Sequence, residues 1–134
     1  MDDTYCLKIE VEYPGQKKLI DLILDVEHDV EEADAWVLTR DYDEFFGDLP
    51  LFYISDFMDI LRGKFGDLEK IGIQRDMISI WRCISSTTEV FMEYWPEEMR
   101  LMASEGIRFR LLCRALDEEE EADSPHFGPF PVLN

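Results

Sequence analysis

The sequence predicts a single α+β domain, with a mostly antiparallel sheet and helices on one face, in the order β-α-β-α-β-β-α-β. Three observations predict it. The 134 residues make one domain, and 46% hydrophobic with 13% aromatic residues supply it with a core. The best-patterned segments, near the two ends of the domain, alternate apolar and polar residues with a period of two, the mark of strands with one wet face. Between them lie stretches with helical periodicity or with helix start and stop residues.

Tyr5, Leu7, Ile9, Val11 and Tyr13 alternate with Cys6, Lys8, Glu10 and Glu12, and Pro14-Gly15 ends this first strand. Residues 16–26 fit two templates. As a helix they gather Leu19, Ile20, Leu22, Ile23, Leu24 and Val26 in one arc, with Lys17, Lys18, Asp21 and Asp25 in the other. As a strand, Asp21 and Asp25 would share a face with Leu19 and Ile23, so helix is the better reading. Residues 26–34 are acidic and read as a loop leading to a short strand from Ala35 to Thr39. From Arg40 to Tyr53 acids and aromatics mix, broken by Gly47 and Pro50, in a long irregular connection of the kind that carries function.

Ser55 reads as the N-cap of a helix to Ile71, with Asp56 and Asp59 toward its positive end and Arg62, Lys64 and Lys70 toward its negative end. Gly72 stops it. Gly63 and Gly66 cost roughly 1 kcal/mol each relative to alanine and favour a break. Met77 to Ser85 and Glu89 to Trp95 read as two strands of a hairpin turned at Ser85-Ser86-Thr87-Thr88. Pro96, Glu97 and Glu98 open a short helix that Gly106 closes. In the last strand Ile107, Phe109, Leu111, Cys113 and Ala115 point one way, and Arg108, Arg110 and Arg114 the other. The domain therefore spans 1–116. Residues 117–134 form a tail, with six acids in the seven residues 117–123 followed by a proline-rich end.

With 31 acids against 13 bases, the formal charge of −18 repels phosphate backbones and anionic lipid. Direct binding to nucleic acid or to a membrane is disfavoured, and a basic protein partner is favoured. Cys6, Cys83 and Cys113 are an odd, scattered set and read as free thiols buried in strands. The chain opens Met-Asp-Asp rather than with a basic and then apolar leader, and no apolar run approaches the ~20 residues of a membrane span. The expectation is a cytoplasmic protein, monomeric or weakly dimeric.

Catalysis finds no signature. There is no GxSxG elbow and no phosphate-cradling glycine loop, and with so many acids chance carboxylate pairs are expected. No cofactor is implied. Neither acidic segment supplies the glycine of a calcium loop, and His28 and His126 stand far apart with no CxxC or HxxxH, so no metal site is expected. The arginines of the last strand, with Arg82 as a possible neighbour, read as cross-strand partners of Glu10, Glu12 or Glu93 rather than as an RNA platform.

The strongest candidate is a segregation of charge. From Asp21 to Asp59 there are 13 acids and one base, Arg40. Aromatic residues are threaded through them, and rings are what interface hot spots use. The candidate partner-binding residues are Asp29, Glu31, Glu32, Asp34, Asp41, Asp43, Glu44 and Asp48 for charge, with Tyr42, Phe45 and Phe46 as anchors. Tyr53 and Phe52 belong to the same run, and some of these rings must serve the core.

Small size, acidic charge, the opening strand Tyr5 to Glu12, and the run Trp95-Pro96-Glu97-Glu98-Met99 through Gly106-Ile107-Arg108-Phe109 resemble bacterial immunity proteins of polymorphic-toxin and contact-dependent growth inhibition systems. The resemblance is one of style over most of the first 116 residues. It implies a cytoplasmic protein that binds one cognate toxin domain, commonly a nuclease, and covers its active site or substrate cleft. The alternatives are a small acidic secretion chaperone, a nucleic-acid mimic that inhibits a DNA-binding or defence protein, and, as the enzyme option, a carboxylate-dependent hydrolase.

Overall fold

The alternating opening segment folds as strand β1 (Asp2–Glu10) and takes the centre of a five-stranded sheet. The fold is that of a computed structural model, which describes residues 2–42 and 52–116. After β1 come α1 (Gly15–Leu24), β2 (Val30–Glu32), β3 (Ala35–Asp41), α2 (Phe52–Leu61), α3 (Phe65–Lys70), β4 (Ile78–Ser86), α4 (Pro96–Ser104) and β5 (Arg108–Ala115). The strand order is β2-β3-β1-β4-β5. All neighbours are antiparallel except β4 and β5, which run parallel. The result is a mostly antiparallel α+β domain, as the patterning predicts.

Period two decides what each face of the sheet meets. Leu7 and Ile9 of β1, Trp36 and Leu38 of β3, and Ile78 and Ile80 of β4 face the helices. There they join Ile20 and Leu24 of α1, Phe57 and Leu61 of α2, Phe65 and Leu68 of α3, and Met102 of α4 in one core. All four helices contribute to it, so all four cover the same face. The other face holds a smaller cluster of Cys6, Ala35, Val37, Trp81 and Cys83, flanked by Val30 and Leu112.

Residues 16–24 are helical, but the apolar arc is narrower than the wheel suggests. Gln16, Ile20 and Leu24 are buried, whereas Leu22 is 74% exposed and Leu19 is also exposed. Gln16 replaces an apolar contact with hydrogen bonds. Its side chain accepts from the Glu12 backbone at 2.6 Å and donates to the Ile71 carbonyl at 2.8 Å, tying α1 to the end of α3. The helix ends at Asp25, which takes the left-handed conformation with φ at 56°.

The expected break between Ser55 and Ile71 occurs at Gly63, whose φ of +75° an L side chain resists. It splits that helix into α2 and α3. Ser55 is not its N-cap, since α2 already begins at Phe52. Residues 30–32 are not loop but the edge strand β2, paired to β3 from Val30 to Glu32.

The hairpin from Met77 to Trp95 does not form. Both sides of β4 are already occupied, by β1 and by β5, so residues 89–95 have no place in the sheet. They instead lead over the helix-facing side of β5, where the Tyr94 ring meets Phe109 edge-on at 4.9 Å. A parallel pair needs a long crossover, and α4 provides it. Cys6 and Cys83 are buried free thiols as expected, while Cys113 is exposed. The expected tail, 117–134, lies outside the described residues.

Candidate partner-binding edge

The acids of residues 25–41 are placed by a short hairpin. β2 is too short to hold itself, and its turn-side and loop-side residues are fixed by side chains. Both oxygens of the Asp29 carboxylate accept from the Thr39 backbone N–H, at 2.9 and 3.2 Å, and Oδ2 accepts from the Thr39 hydroxyl at 2.8 Å. On the opposite side Asp21 of α1 gathers three donors on one oxygen. They are the His28 backbone at 3.0 Å, His28 Nδ1 at 2.9 Å and Trp36 Nε1 at 2.7 Å. His28 Nε2 meets Glu31 at 3.0 Å, and Lys17 bonds the Glu32 carbonyl and stands 3.8 Å from Glu31.

These contacts shift the titration of Asp21 and His28, which join α1 to the segment before β2. The hydrogen bond to Asp21, opposed by burial and reinforced by Glu31, raises the His28 pKa above its ordinary value. Burial tends to raise the Asp21 carboxyl, but the bonds from His28 and Trp36 outweigh it and hold that carboxyl below the usual range.

The outer edge of the sheet that results is acidic. Asp29, Glu31, Asp34 and Asp41 are exposed, and the Glu31 side chain is 83% accessible. They follow β2 and β3 from the turn at Asp34 to the strand end at Asp41, seven residue steps or roughly 23 Å of extended chain. Glu10 and Glu12 add exposed carboxylates at the turn end, where the Val11 N–H donates to the Asp34 carbonyl at 3.0 Å. Glu32 is less free to bind elsewhere, standing 3.5 Å from Lys8. Asp41 accepts from the Thr4 hydroxyl at 3.2 Å.

Of the sequence-predicted residues, Asp29, Glu31, Glu32, Asp34, Asp41 and Tyr42 come together on this edge. Asp43, Glu44, Phe45, Phe46 and Asp48 lie outside the described residues. Tyr42 is not a free anchor: it is half-buried, 5.9 Å from the Tyr53 ring and 5.5 Å from the Arg82 guanidinium. Tyr53 is buried and stacks on Tyr5 at 4.6 Å. Both tyrosines therefore serve the core.

Arg82 does not join the other arginines. It sits on the helix-facing side of β4, opposite Leu111, while Arg108, Arg110 and Arg114 occupy the second face. Nor do those three pair with Glu10, Glu12 or Glu93. Arg108 donates to the Asp76 carbonyl at 2.6 Å, and Arg110 lies 5.2 Å over the Trp81 ring. Exposed apolar residues escape the sequence reading because each sits in a segment assigned to core or sheet: Leu22, Phe91 at 88% exposure, and Trp95.

Among the described residues no group of three His, Cys, Asp or Glu side chains is placed to hold a metal ion, and no helix is long and apolar enough to cross a membrane. No protein family, curated protein or solved structure matches the chain.

Proposed function

We propose that the protein is a non-enzymatic inhibitor of the immunity-protein kind, which neutralises a cognate nuclease toxin in the cytoplasm by laying the β2–β3 edge into its cationic cleft. One observation carries this reading. Asp29, Glu31, Asp34 and Asp41 stand exposed along a single edge, where Thr39 holds Asp29, His28 meets Glu31 and Thr4 donates to Asp41. A nuclease cleft is lined with Lys and Arg to grip phosphates, and a row of fixed carboxylates competes for the same cations. Complementary fields of this kind raise association rates more than they deepen affinity.

The test is co-expression with the toxin domain encoded beside this chain in its genome, scored by growth. The wild-type chain is expected to restore growth, and a variant carrying Glu31→Lys and Asp34→Lys is expected to fail while folding normally by circular dichroism. Equal protection by both chains, or the lack of a toxin gene beside this one, contradicts the proposal.

A further inference from the structure

Strand β5 bounds the sheet on the side opposite β2, and it inverts the chemistry of the acidic edge. It runs eight residues, and among the described residues its only strand partner is β4. Among the described residues no strand covers its outer side, whose backbone N–H and C=O groups are a template for one more strand. Arg108, Arg110, Leu112 and Arg114 project on the second face, and Phe109, Leu111, Cys113 and Ala115 on the helix-facing side. Leu111 is 45% exposed, and Cys113 and Arg114 are exposed as well. Among the described residues none of the three arginines pairs with a carboxylate; Arg108 and Arg110 rest on a carbonyl and a ring.

We propose that this edge binds an extended acidic peptide by strand addition. Residues directly opposite across a ladder lie about 5 Å apart at Cβ, so opposite charges there stabilise and like charges destabilise. The fitting segment carries acids opposite Arg108, Arg110 and Arg114 and apolar residues opposite Phe109, Leu111, Leu112 and Cys113. A second copy of the chain fits poorly, since antiparallel pairing about Arg110, Leu111 or Leu112 sets arginine against arginine. The overall charge of −18 slows the approach of any acidic peptide. The edge thus selects by register and contact rather than by attraction from afar. This inference concerns the opposite side of the sheet and stands whether or not the acidic edge binds a toxin.

The test uses the full chain and fluorescein-labelled peptides with the pattern Glu-Val-Glu-Val-Val-Val-Glu or its reverse, flanked by Gly-Ser, followed by anisotropy. One of the two is expected to bind, with a scrambled peptide of equal composition at least about tenfold weaker. The double variant Arg110→Glu with Arg114→Glu is expected to lose a similar factor and to regain it with lysines at the facing peptide positions. N-methylation of alternate peptide nitrogens is expected to abolish binding in one phase and spare it in the other, because only alternate N–H groups face β5. Scrambled or doubly tolerant N-methyl peptides that bind as well as the parent would overturn strand addition. Tighter binding of a single-stranded RNA oligonucleotide, or a sedimenting dimer that R110E/R114E dissolves, would overturn the assignment to a peptide.

Discussion

Arg82 and Asp3 stand 79 residues apart in sequence and meet in a two-point ion pair, Nε on Oδ1 at 3.0 Å and Nη2 on Oδ2 at 2.7 Å. Their side chains are only 10% and 6% exposed. The rings of Tyr5, Tyr42 and Tyr94 surround the guanidinium at 5.0–5.9 Å, and the Tyr94 hydroxyl accepts from Nη1 at 3.1 Å. One arginine thus ties β1, β4, the end of β3 and the segment before α4 into a single corner.

Breaking a buried pair from one side leaves an uncompensated charge, which costs about 3–5 kcal/mol, whereas apolar replacement of both partners is far milder. Arg82→Met or Asp3→Leu alone is expected to lower the urea unfolding free energy by about 3 kcal/mol. The double variant should recover most of it. Single variants as stable as the wild type would show that the corner carries no stability.

His28 gives the fold a pH dependence of known sign. Its folded pKa is raised, so its contribution is fully present below the unfolded value near 6.5 and is lost as pH rises through the higher folded value. Asp21 acts oppositely: its lowered pKa contributes stability above the unfolded value near 4 that is lost as pH falls further. In urea titrations, His28→Gln should destabilise the protein more at pH 6 than at pH 9. A gap between the two chains that does not change with pH would contradict the Asp21–His28–Glu31 arrangement.

The thiols should separate cleanly. Cys6 and Cys83 are buried, and burial pushes the Cys6 thiol well up and the Cys83 thiol up to about 12, whereas Cys113 is exposed. Only thiolate reacts at an appreciable rate. Native protein with Ellman's reagent at pH 8 should show one fast thiol, absent in Cys113→Ser, and three after denaturation. Two or three fast thiols in the native state would contradict the burial of the second sheet face.

Where the sequence succeeds and where it fails have physical causes. The alternation from Tyr5 to Tyr13 predicts a strand because one face must be dry, and β1 is central. Gly63 and Gly66 predict a helix break by their low helix propensity, and it falls at Gly63, whose positive φ only glycine takes easily, while Gly66 lies inside α3. Residues 89–95 keep a strand's alternation, with Val90, Met92 and Tyr94 half-buried, yet the periodicity of a segment does not say whether a sheet has room for it. The helix between the two last strands is the available sign of a parallel pair. β2 is missed because three residues, two of them acidic, look like loop when a cross-strand aspartate rather than a side-chain pattern holds them. Arg82 is missed as a buried residue because an arginine in an alternating strand reads as solvent-facing until Asp3, far away in the chain, is placed beside it. The acidic edge is legible as a charge run, while the inward turn of Tyr42 depends on that same distant corner.

Gly63 should tolerate no side chain without cost, although no atom lies within 4 Å of the place a Cβ would take. Strain at its φ of +75° alone is expected to cost Gly63→Ala about 1–2 kcal/mol, seen as a lowered melting temperature. An unchanged or raised melting temperature would mean that α2 and α3 join through a different turn.

The most direct test of the acidic edge is the association rate with the neighbouring toxin domain, measured by stopped flow at 50 and 500 mM NaCl. Wild-type association is expected to slow by at least about tenfold at high salt, and Glu31→Gln with Asp34→Asn should remove most of that slowing by lowering the rate at low salt. A rate indifferent to salt, or a neutralised variant that associates as fast as the wild type, would contradict the claim that these carboxylates guide the partner.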